Sequence, residues 1–534
     1  MAVLEYGRKD LEKLVGKKLT DKDIQDVLPL LGTPVEHLTP DLLTVEIFPN
    51  RPDMLSIEGF ARAVAGFLNV ETGPVQYKIP KGNVEVTVDK SVKDVRPHFL
   101  AAVIRNVKLT DPVVASMMQF QEKINDTMGR RRKKLASGFH DLDKVKPPFR
   151  YMAVDPDSIS FVPLGMSGKM TLSEILAEHP KGQQFADLLK PYRKYPIIID
   201  SKGTILSFPP IVNSEDSKVT EDTKTIFLDI DSWDLRAAHQ ALNIYCASFL
   251  DRGFKVESVK VGKEYTPFLQ TRKMGLDPAY CNSLLGIELT GAEISRLLRK
   301  MRFGASGSKV VSVEIPPYRT DILHPMDLVE EIAIAYGYAS FQPQISDTAT
   351  TGRQTDESLL NAKIREIMTG FGFYECFSFY LSNPDKQFQR MLKPEAPEVV
   401  ISNPRTSDFT QFRSSILPHL LEVVKTNSRY ELPQMFFEVG YASLGEEMPK
   451  RAVAAVCASE FASYTSIRAY AESLAHELGM EISSISPADD QSYIPGRVAE
   501  IKAGNMYGKI GEIHPQVLDN LGIEYPVAVF ELAY

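Results

Sequence analysis

Four carboxylates lie close together between Asp321 and Glu331. A helix that begins at Pro325 places Asp327, Glu330 and Glu331 three and four residues apart, and therefore on one face. These carboxylates repel one another, and the positive N-terminus of the helix relieves only part of the repulsion. A hard cation held together with Asp321 would relieve more of it. The spacing alone favours an acidic, solvated first turn and leaves a metal site as the alternative.

Two further carboxylates occupy a predicted strand at residues 225–231. Because strand side chains alternate, Asp229 and Asp231 project from the face that carries Phe227, and the residues between them face the other side. Two acids beside an aromatic ring can bind a ligand that carries an ammonium group. The solvent-facing side of an edge strand explains the same pattern at least as well.

A run of basic residues is the candidate contact for a nucleic acid. It consists of Arg130, Arg131, Arg132, Lys133 and Lys134. The chain has a formal net charge of -8, which argues against non-specific coating of nucleic acid, because that mode of binding requires many Lys and Arg side chains on phosphates. Any contact with RNA must therefore be local. Taken alone, the run is more typical of a solvated turn than of an RNA site.

Several motifs of nucleotide-binding proteins and hydrolases are absent from the sequence. Gly168-Lys169 resembles part of a phosphate loop, but Pro163 stands where the first glycine belongs and Met170 where Ser or Thr is needed. There is no dinucleotide-binding glycine motif, no H-E-x-x-H and no G-x-S-x-G. The four cysteines are far apart, which excludes a clustered zinc site and favours reduced, buried thiols. The chain therefore lacks the features of an enzyme that uses ATP by itself.

The chain is long enough for several domains, and its pattern divides it into four regions. The fold class is α+β multidomain. Residues 1–82 are predicted to form an N-terminal α/β module, with a helix from Ile57 that Asp53 or Ser56 can cap. Residues 83–265 mix strands with helices, including a helix from about Trp233 to Arg252, and form an α+β domain.

The other two regions contain the acidic helix and the C-terminal sheet. Residues 266–345 hold two short helices around a strand, one of them starting at a Thr290–Glu293 capping box, which suggests a winged-helix-like module. Residues 346–534 begin with a helix through Ile364 and continue as a mainly antiparallel sheet with flanking helices. No apolar run approaches the ~18 residues of a membrane span, so we expect a cytoplasmic protein without membrane contact.

Several segments resemble the beta subunits of phenylalanine-tRNA ligases of the archaeal and eukaryotic cytosolic type. They cover essentially the whole length in the order and at the spacing of that family. The segments are Ile47-Phe48-Pro49-Asn50-Arg51-Pro52-Asp53, Gly138-Phe139-His140-Asp141-Leu142-Asp143, Phe208-Pro209-Pro210-Ile211-Val212-Asn213, Pro317-Tyr318-Arg319-Thr320-Asp321-Ile322, Val329-Glu330-Glu331-Ile332-Ala333 and Gly511-Glu512-Ile513-His514-Pro515.

The resemblance implies one half of an aminoacyl-tRNA ligase. An alpha subunit would hold ATP, phenylalanine and the 3′ end of tRNA(Phe), and two alpha-beta pairs would form an α2β2 heterotetramer. Residues 346–534 would be a class II catalytic-like domain without its chemistry, consistent with Phe412-Arg413 continuing as Ser414-Ser415 instead of an F-R-x-E motif. The magnesium ligands of the family map onto Asp321, Asp327, Glu330 and Glu331, in part through water or shared with the alpha chain.

The resemblance also implies that residues 83–265 are an editing domain that hydrolyses tyrosine wrongly attached to the tRNA. A pocket for an apolar ring discriminates weakly against one added hydroxyl, so a second, hydrolytic site is needed. By position, the editing pocket would be formed by Ser207, Pro209, Asn213, Asp229 and Asp231, with Asp229 as partner of the ammonium or phenol group.

One segment departs from the family. Related chains carry a Thr-Gly-Thr-Asp-like stretch where this sequence has Asp231-Ser232-Trp233-Asp234. The pocket is therefore altered, and the alternative is a scaffold or tRNA-binding subunit that does not edit.

Overall fold

The computed structural model describes residues 2–345, 347–396, 399–443 and 449–534, and contacts divide the chain into two units, Met1–Ile345 and Ser346–Tyr534. The mixed α+β, multidomain class expected from the sequence is confirmed. Among the described residues, no helix combines the length and apolar character needed to cross a membrane.

The first unit begins with a three-stranded antiparallel sheet of order β1-β3-β2 and two helices. The elements are β1 (Ala2–Gly7), α1 (Arg8–Val15), β2 (Val35–Leu38), β3 (Leu42–Ile47) and α2 (Ile57–Phe67). Helix α2 is buried along its whole length. The Ser56 hydroxyl caps it by accepting a bond from the Gly59 amide at 3.0 Å. The alternative prediction that Asp53 caps this helix is wrong. The Asp53 carboxylate instead accepts a hydrogen bond from the Arg51 guanidinium at 2.9 Å.

A ten-stranded sheet follows, of order β12-β11-β10-β7-β4-β14-β5-β13-β6, with β15 paired to β14. Pairing is antiparallel except where β4 meets β14 and β7. The strands are β4 (Lys81–Val88), β5 (His98–Arg105), β6 (Leu135–Asp141), β7 (Phe149–Val154), β10 (Tyr195–Ile199), β11 (Ile205–Phe208), β12 (Val212–Asn213), β13 (Thr225–Ser232), β14 (Lys255–Val261) and β15 (Glu264–Thr266), and β8 (Ser160–Phe161) and β9 (Met170–Thr171) form a separate pair. The helices are α3 (Asp111–Asp126), α4 (Leu172–Glu178), α5 (Pro180–Phe185) and α6 (Leu235–Asp251).

Strand β13 is the element that carries Asp229 and Asp231. It pairs with β5 on one side and β6 on the other, and all eight of its residues are buried. The alternative of an edge strand facing solvent is therefore wrong. The predicted alternation is confirmed, because Ile226, Leu228 and Ile230 pack in one hydrophobic core while Phe227 packs in the other.

The last part of the first unit is a three-stranded antiparallel sheet of order β16-β18-β17 with three helices. The elements are β16 (Arg272–Leu276), α7 (Pro278–Leu285), α8 (Gly291–Lys300), β17 (Gly304–Ser306), β18 (Val311–Ile315) and α9 (Pro325–Tyr336). The capping box at α8 is confirmed by reciprocal bonds between Thr290 and Glu293, and α9 begins at Pro325 as predicted. The prediction of two helices around one strand missed α7 and two of the strands.

In the second unit, the described residues form a seven-stranded sheet of order β19-β22-β23-β27-β26-β25-β24, antiparallel except between β19 and β22. The strands are β19 (Tyr374–Glu375), β22 (Gln434–Ala442), β23 (Lys450–Ala458), β24 (Ile482–Pro487), β25 (Tyr493–Ala503), β26 (Met506–Ile513) and β27 (Val527–Ala533), and β20 (Leu381–Ser382) and β21 (Gln411–Phe412) form a separate pair. Helices α10 (Asp356–Gly370), α11 (Leu417–Thr426), α12 (Tyr464–Glu477) and α13 (Pro515–Leu521) complete the unit. The mainly antiparallel sheet predicted here is confirmed.

Candidate functional site

A cavity of about 230 Å³ lies between strands β6, β11 and β13 and the segment 209–213. All five residues predicted for an editing pocket line it, namely Ser207, Pro209, Asn213, Asp229 and Asp231. The structure thus brings together side chains from two separate segments of the sequence, residues 207–213 and 229–231. Their role in editing stays a prediction.

A chain of hydrogen bonds holds Asp229 at the cavity wall. Its Oδ1 lies 2.9 Å from Nε2 of His140, whose Nδ1 lies 2.9 Å from the hydroxyl of Ser217. The Ser217 hydroxyl also donates to the Leu206 carbonyl at 3.0 Å. Because the Ser217 hydroxyl donates to that carbonyl, it can accept a hydrogen bond from Nδ1 of His140. Burial raises the pKa of Asp229, and the interaction with His140 partly offsets this increase.

Gly138 makes room for this carboxylate. A Cβ atom at position 138 would lie 2.4 Å from Oδ1 of Asp229 and 2.9 Å from Nε2 of His140. Both distances are shorter than van der Waals contact, so any side chain on strand β6 opposite Asp229 would displace the Asp229 carboxylate and the His140 ring. The segment Gly138-Phe139-His140 therefore supplies both the space and the hydrogen-bond partner that Asp229 needs.

Asp231 is bound by a buried arginine. Both side chains of the Arg96–Asp231 ion pair are 2% exposed. The Arg96 guanidinium also donates to the main-chain carbonyls of Asp231 at 3.2 Å and Arg132 at 3.1 Å. Burial raises the pKa of Asp231 to about 6, because the opposing effect of Arg96 is incomplete and the charge of Asp229 adds to the effect of burial.

Arg132 forms another part of the cavity wall. Its guanidinium donates to the carbonyls of Pro210 at 3.1 Å and Ile211 at 2.8 Å, and to Glu122 at 3.0 Å. It also lies over the ring of Phe185, 4.6 Å from the centroid. These bonds fix the segment that carries Pro209 and Asn213 against the basic run.

One polar group in the wall has no partner within the described part of the chain. The Ser207 hydroxyl lines the cavity, is buried, and forms no hydrogen bond there. Buried hydroxyl groups are nearly always hydrogen-bonded. The Ser207 hydroxyl is therefore available to a ligand or to water in the cavity.

The sequence predicted only some of these side chains. His140 belongs to a quoted segment, but no role was predicted for it, and Arg96, Arg132 and Ser217 were not predicted as parts of the pocket. Residue type and spacing do not reveal partners that come from distant strands. One signal for these contacts was present in the sequence. The segment Gly138-Phe139-His140 combines a glycine with a histidine, and it lies on the strand that pairs with β13.

The acidic helix α9 is tied to the preceding loop by Arg319. The guanidinium of Arg319 donates to Asp321 at 2.6 and 2.9 Å and to Glu331 at 2.6 and 3.0 Å. Asp327 accepts from the amides of Leu323 and His324, both at 2.7 Å, and so closes a capping box. Glu330 is the exposed member of the four carboxylates. The alternative of a wholly solvated first turn is wrong for Glu331, which is buried.

The donor chemistry of these four carboxylates suits magnesium, but their arrangement is incomplete as a ligand cage. Within the described ranges, no group of three His, Cys, Asp or Glu side chains is placed to hold a metal ion by itself. The Arg319 guanidinium contacts only Asp321 and Glu331, and its single positive charge leaves the group of four carboxylates with excess negative charge. Partial burial raises the pKa of Glu330, and Glu331, Asp327 and Asp321 raise it further. The magnesium ligands stay a prediction.

In the second unit, Arg413, which is not part of an F-R-x-E motif, is held by buried polar groups. Its guanidinium pairs with Glu438 at 2.7 Å, and each side chain is 1% exposed. It also donates to the carbonyl of Tyr441 at 2.8 Å and to the hydroxyl of Ser378 at 2.7 Å. Ser414 and Ser415 line a cleft of about 1250 Å³, whereas Arg413 is not among its described lining residues. Arg413 therefore stabilises the interior of the second unit through these bonds.

Comparison with known proteins identifies the family. The chain is 41% identical over 543 residues to the phenylalanine–tRNA ligase beta subunit of Archaeoglobus fulgidus, covering 100% of this chain and 98% of that protein. The chain belongs to the phenylalanine–tRNA ligase beta-subunit family. The beta subunits of Methanosarcina acetivorans and Thermococcus sibiricus are 39% and 37% identical, each over 100% of this chain and 98% of the relative.

Three family models match successive parts of the chain. A B3/4 domain matches residues 132–266, a tRNA synthetase B5 domain matches residues 274–338, and the phenylalanyl tRNA synthetase beta chain CLM domain matches residues 343–534. The cavity thus lies mainly in the B3/4 match and the acidic helix in the B5 match. A crystal structure of an N-terminal fragment of the beta subunit from Pyrococcus horikoshii is similar, with a TM-score of 0.61 and 36% identity over 63% of this chain and 99% of the fragment.

Proposed function

We propose that the chain acts as the beta subunit of a phenylalanine–tRNA ligase and that its cavity hydrolyses tyrosyl-tRNA(Phe). Together with an alpha subunit, it attaches phenylalanine to tRNA(Phe) at the expense of ATP, in an α2β2 assembly whose ATP site lies on the alpha chain. Family membership over the full length supports the ligase role. The convergence of the five predicted side chains on one cavity supports the editing role.

The size and polarity of the cavity suit a single aminoacyl group. Its volume of about 230 Å³ is smaller than the roughly 300–1,000 Å³ of sites for drug-sized ligands. Asp229 is an acceptor for the ammonium or phenol group of the substrate, and the Ser207 hydroxyl is a free polar partner. Hydrolysis adds water to the ester carbonyl, breaks the bond to the ribose oxygen and returns the proton to that ribose hydroxyl, so no further reactant is required.

The test is hydrolysis of tyrosyl-tRNA(Phe) by the alpha-beta complex. We expect release of tyrosine well above the rate without enzyme, and a loss of at least about tenfold in Asp229→Ala, because a hydrogen bond to a charged group contributes about 1.5–3 kcal/mol. Asp187→Ala, at an exposed position in the same region, is the matched control and should behave as the wild type. Tyrosine release that never exceeds the rate without enzyme would exclude the editing role.

The second candidate function is a scaffold or tRNA-binding subunit without editing. The observation that favours it is the Arg96–Asp231 pair, which places a buried charge pair where related chains carry small polar residues. The same deacylation assay separates the two functions. A non-editing subunit would support aminoacylation fully and give no release of tyrosine.

We also propose that Asp321, Asp327, Glu330 and Glu331 contribute to a magnesium site. Because Arg319 binds two of these carboxylates, the site would be completed by water or by groups of the alpha subunit. The excess negative charge around Glu330 supports a bound cation. Magnesium would supply charge neutralisation there.

A further inference from the structure

The basic run forms a strained turn beside the cavity. Arg130, Arg131 and Arg132 have positive φ angles of 51°, 55° and 64°. The left-handed conformation costs an L-residue roughly 1–2 kcal/mol, so three in succession need strong support from their surroundings. Main-chain bonds from Arg131 to Asp126 at 3.0 Å and from Arg132 to Asn125 at 2.9 Å supply part of it. Residues 130–134 are called the basic turn below.

Arg96 and Gly129 also hold the basic turn in place. The Arg96 guanidinium donates to the Arg132 carbonyl at 3.1 Å, while its other bonds include those to Asp231 in the cavity wall. A Cβ at position 129 would lie 2.2 Å from the Asn125 carbonyl oxygen, so the turn requires glycine there. The turn and the cavity wall are therefore held rigidly together. Strain of this kind is typical of functional segments.

The side chains of the basic turn divide into two groups. Arg132 is buried in the cavity wall and Lys134 pairs with Asp234 at 2.9 Å. Arg130, Arg131 and Lys133 are exposed, and in the described part of the chain none of them forms an ion pair. The turn thus presents three unbalanced positive charges to solvent. Such a group is complementary to the phosphates of a nucleic acid.

An exposed tryptophan lies directly beside these charges. Trp233 is the only tryptophan in the sequence and is 42% exposed. Its amide donates to the Lys134 carbonyl at 3.0 Å, which fixes it next to the basic turn. The ring of Tyr192 lies 6.3 Å from it, at an interplanar angle of 30°. An aromatic face of this kind can stack on a nucleic-acid base, which is worth about 1–3 kcal/mol per base.

Strand register places this surface next to the cavity. Asp231 pairs with Ala136 and Ser232 with Leu135, and both Asp231 and Ala136 line the cavity. Trp233 directly follows Ser232, the last residue of β13, and is therefore only two residues from Asp231. A ligand that contacts Trp233 and the basic turn therefore lies at the edge of the cavity.

We propose that Arg130, Arg131, Lys133 and Trp233 form a binding surface for the single-stranded 3′ end of an RNA. The three cations contact its phosphates, a base stacks on the Trp233 ring, and the terminal nucleotide reaches the cavity. Unpaired RNA ends are recognised through such stacking and phosphate contacts. The inference rests on the proposed editing function, because that function requires the aminoacylated 3′ end of tRNA to enter this cavity.

The single tryptophan makes the surface directly observable. We expect the fluorescence of Trp233 in the full chain to be quenched saturably by an RNA microhelix with a single-stranded NCCA end. The same microhelix without the unpaired end should cause no comparable quenching. Equal quenching by both would overturn the proposal, because the surface would then recognise duplex phosphates only.

Charge-removal variants test the cations. We expect Arg130→Ala/Arg131→Ala/Lys133→Ala to weaken binding of the NCCA microhelix at least tenfold at 0.1 M salt. The variant should also reduce the steepness of log K against log salt by about 0.7 for each phosphate that it no longer neutralises. Arg296→Ala/Arg299→Ala/Lys309→Ala removes the same charge from exposed positions elsewhere in the first unit and is the matched control. Equal weakening in both variants would overturn the proposal.

Variants at position 233 test stacking. With labelled microhelix and anisotropy as readout, Trp233→Ala should weaken binding several-fold and Trp233→Phe should largely restore it, since both remove the tryptophan but only phenylalanine keeps a ring. Unchanged affinity in Trp233→Ala would overturn the stacking contact.

A kinetic measurement separates this proposal from the editing function. In the alpha-beta complex, the triple variant of the basic turn should raise KM for tyrosyl-tRNA deacylation at least fivefold and leave kcat unchanged. Active deacylation with wild-type KM in the triple variant would contradict the proposed RNA-binding surface but not the editing function. Saturable Trp233 quenching without any deacylation would contradict the editing function but not the RNA-binding surface.

Discussion

Asp231 is a carboxyl group whose charge is poorly tolerated by its surroundings. Burial raises its pKa to about 6 despite the Arg96 guanidinium. The folded protein therefore holds the proton of Asp231 more tightly than the unfolded chain, whose Asp pKa is about 3.9. For a raised pKa, the associated stability is fully present below about pH 4 and is lost as the pH rises through about 6.

We expect Asp231→Asn to gain stability relative to the wild type as the pH rises from 5 to 7.5. Asparagine is neutral at every pH, so it resembles the protonated Asp231 that prevails below about pH 6 and avoids the cost of ionising this buried group at higher pH. The pH-dependent part has a ceiling of about 3 kcal/mol, since one pKa unit corresponds to about 1.4 kcal/mol. Calorimetric melting curves of both proteins across this pH range measure the difference.

The control for this measurement is Asp187→Asn, at a highly exposed position. Its melting temperature should follow that of the wild type at every pH. A constant difference between Asp231→Asn and the wild type from pH 5 to 7.5 would contradict the raised pKa.

The sequence predicts the acids of the cavity but not the groups that hold them. Alternation along one strand is a local pattern, so it placed Asp229 and Asp231 on one face correctly. Arg96 comes from a chain position 135 residues away, and no local pattern reveals that it meets Asp231. The same holds for His140 and Ser217, whose contact depends on how three strands and a loop come together.

Helix α9 and the loop before it form one electrostatic element. The guanidinium of Arg319 is fully buried between Asp321 on the loop and Glu331 on the helix. Glu330 faces outward on the same helix, with Asp327 one turn before it. The element therefore carries exposed, excess negative charge, and the Arg319 ion pairs hold its loop and helix in place.

We expect Glu330→Gln to reduce the stabilisation of the alpha-beta complex by magnesium. The wild-type melting temperature should rise on addition of millimolar Mg²⁺, and the rise should be at least halved in the variant. Without Mg²⁺, the variant should be slightly more stable, by about 0.2–0.5 kcal/mol, because Glu330 and Asp327 are like charges three residues apart on one helix and repel each other. Thermal unfolding with and without Mg²⁺ measures both effects.

Glu288→Gln, at an exposed position in the same part of the chain, is the control and should respond to Mg²⁺ as the wild type does. An undiminished response of Glu330→Gln would exclude Glu330 from the metal site.

Local signals predicted most of the elements, with two kinds of failure. Helix α7 was missed although its signals are present: Asp277 caps it with a bond from the Ala279 amide at 2.9 Å, and Gly286 ends it with a φ of 66°. The helix is only eight residues long, so its apolar periodicity is weak. The position of β13 inside the sheet was a different failure, because edge and central strands differ in their neighbours and not in their own residues.

Buried ion pairs join the parts of the first unit into one body. Arg62 on helix α2 pairs with Asp251 at the end of α6, and its guanidinium lies 3.5 Å from the centroid of the Tyr318 ring. Arg51 holds Asp53 in the same cluster, and although burial opposes it, the charge of Arg51 lowers the pKa of Asp53 to about 2. The segments at residues 47–53 and 317–322, which resemble the family so closely, therefore have a structural role in joining modules.

In the second unit, Arg413 forms a buried ion pair with Glu438 that stabilises the fold. Removing one partner of a buried pair such as Arg413–Glu438 costs about 3–5 kcal/mol, because the other charge is left uncompensated. A guanidinium held this way is not free to contact a nucleotide phosphate. Under the proposed function, activation of phenylalanine depends on the alpha subunit.

We therefore expect the purified chain to form no phenylalanyl-adenylate. In ATP–pyrophosphate exchange with phenylalanine, its rate should equal that of the reaction without protein, and addition of the alpha subunit should restore exchange. The ion pair gives the physical reason, since Arg413 has Glu438, Ser378 and the Tyr441 carbonyl as fixed partners in the described part of the chain. The informative control is the alpha-beta complex carrying Asp229→Ala, which should exchange normally because the cavity has no part in activation. Exchange by the chain without its companion would mean that the second unit retains a working nucleotide site and that Arg413 leaves its pair to serve it.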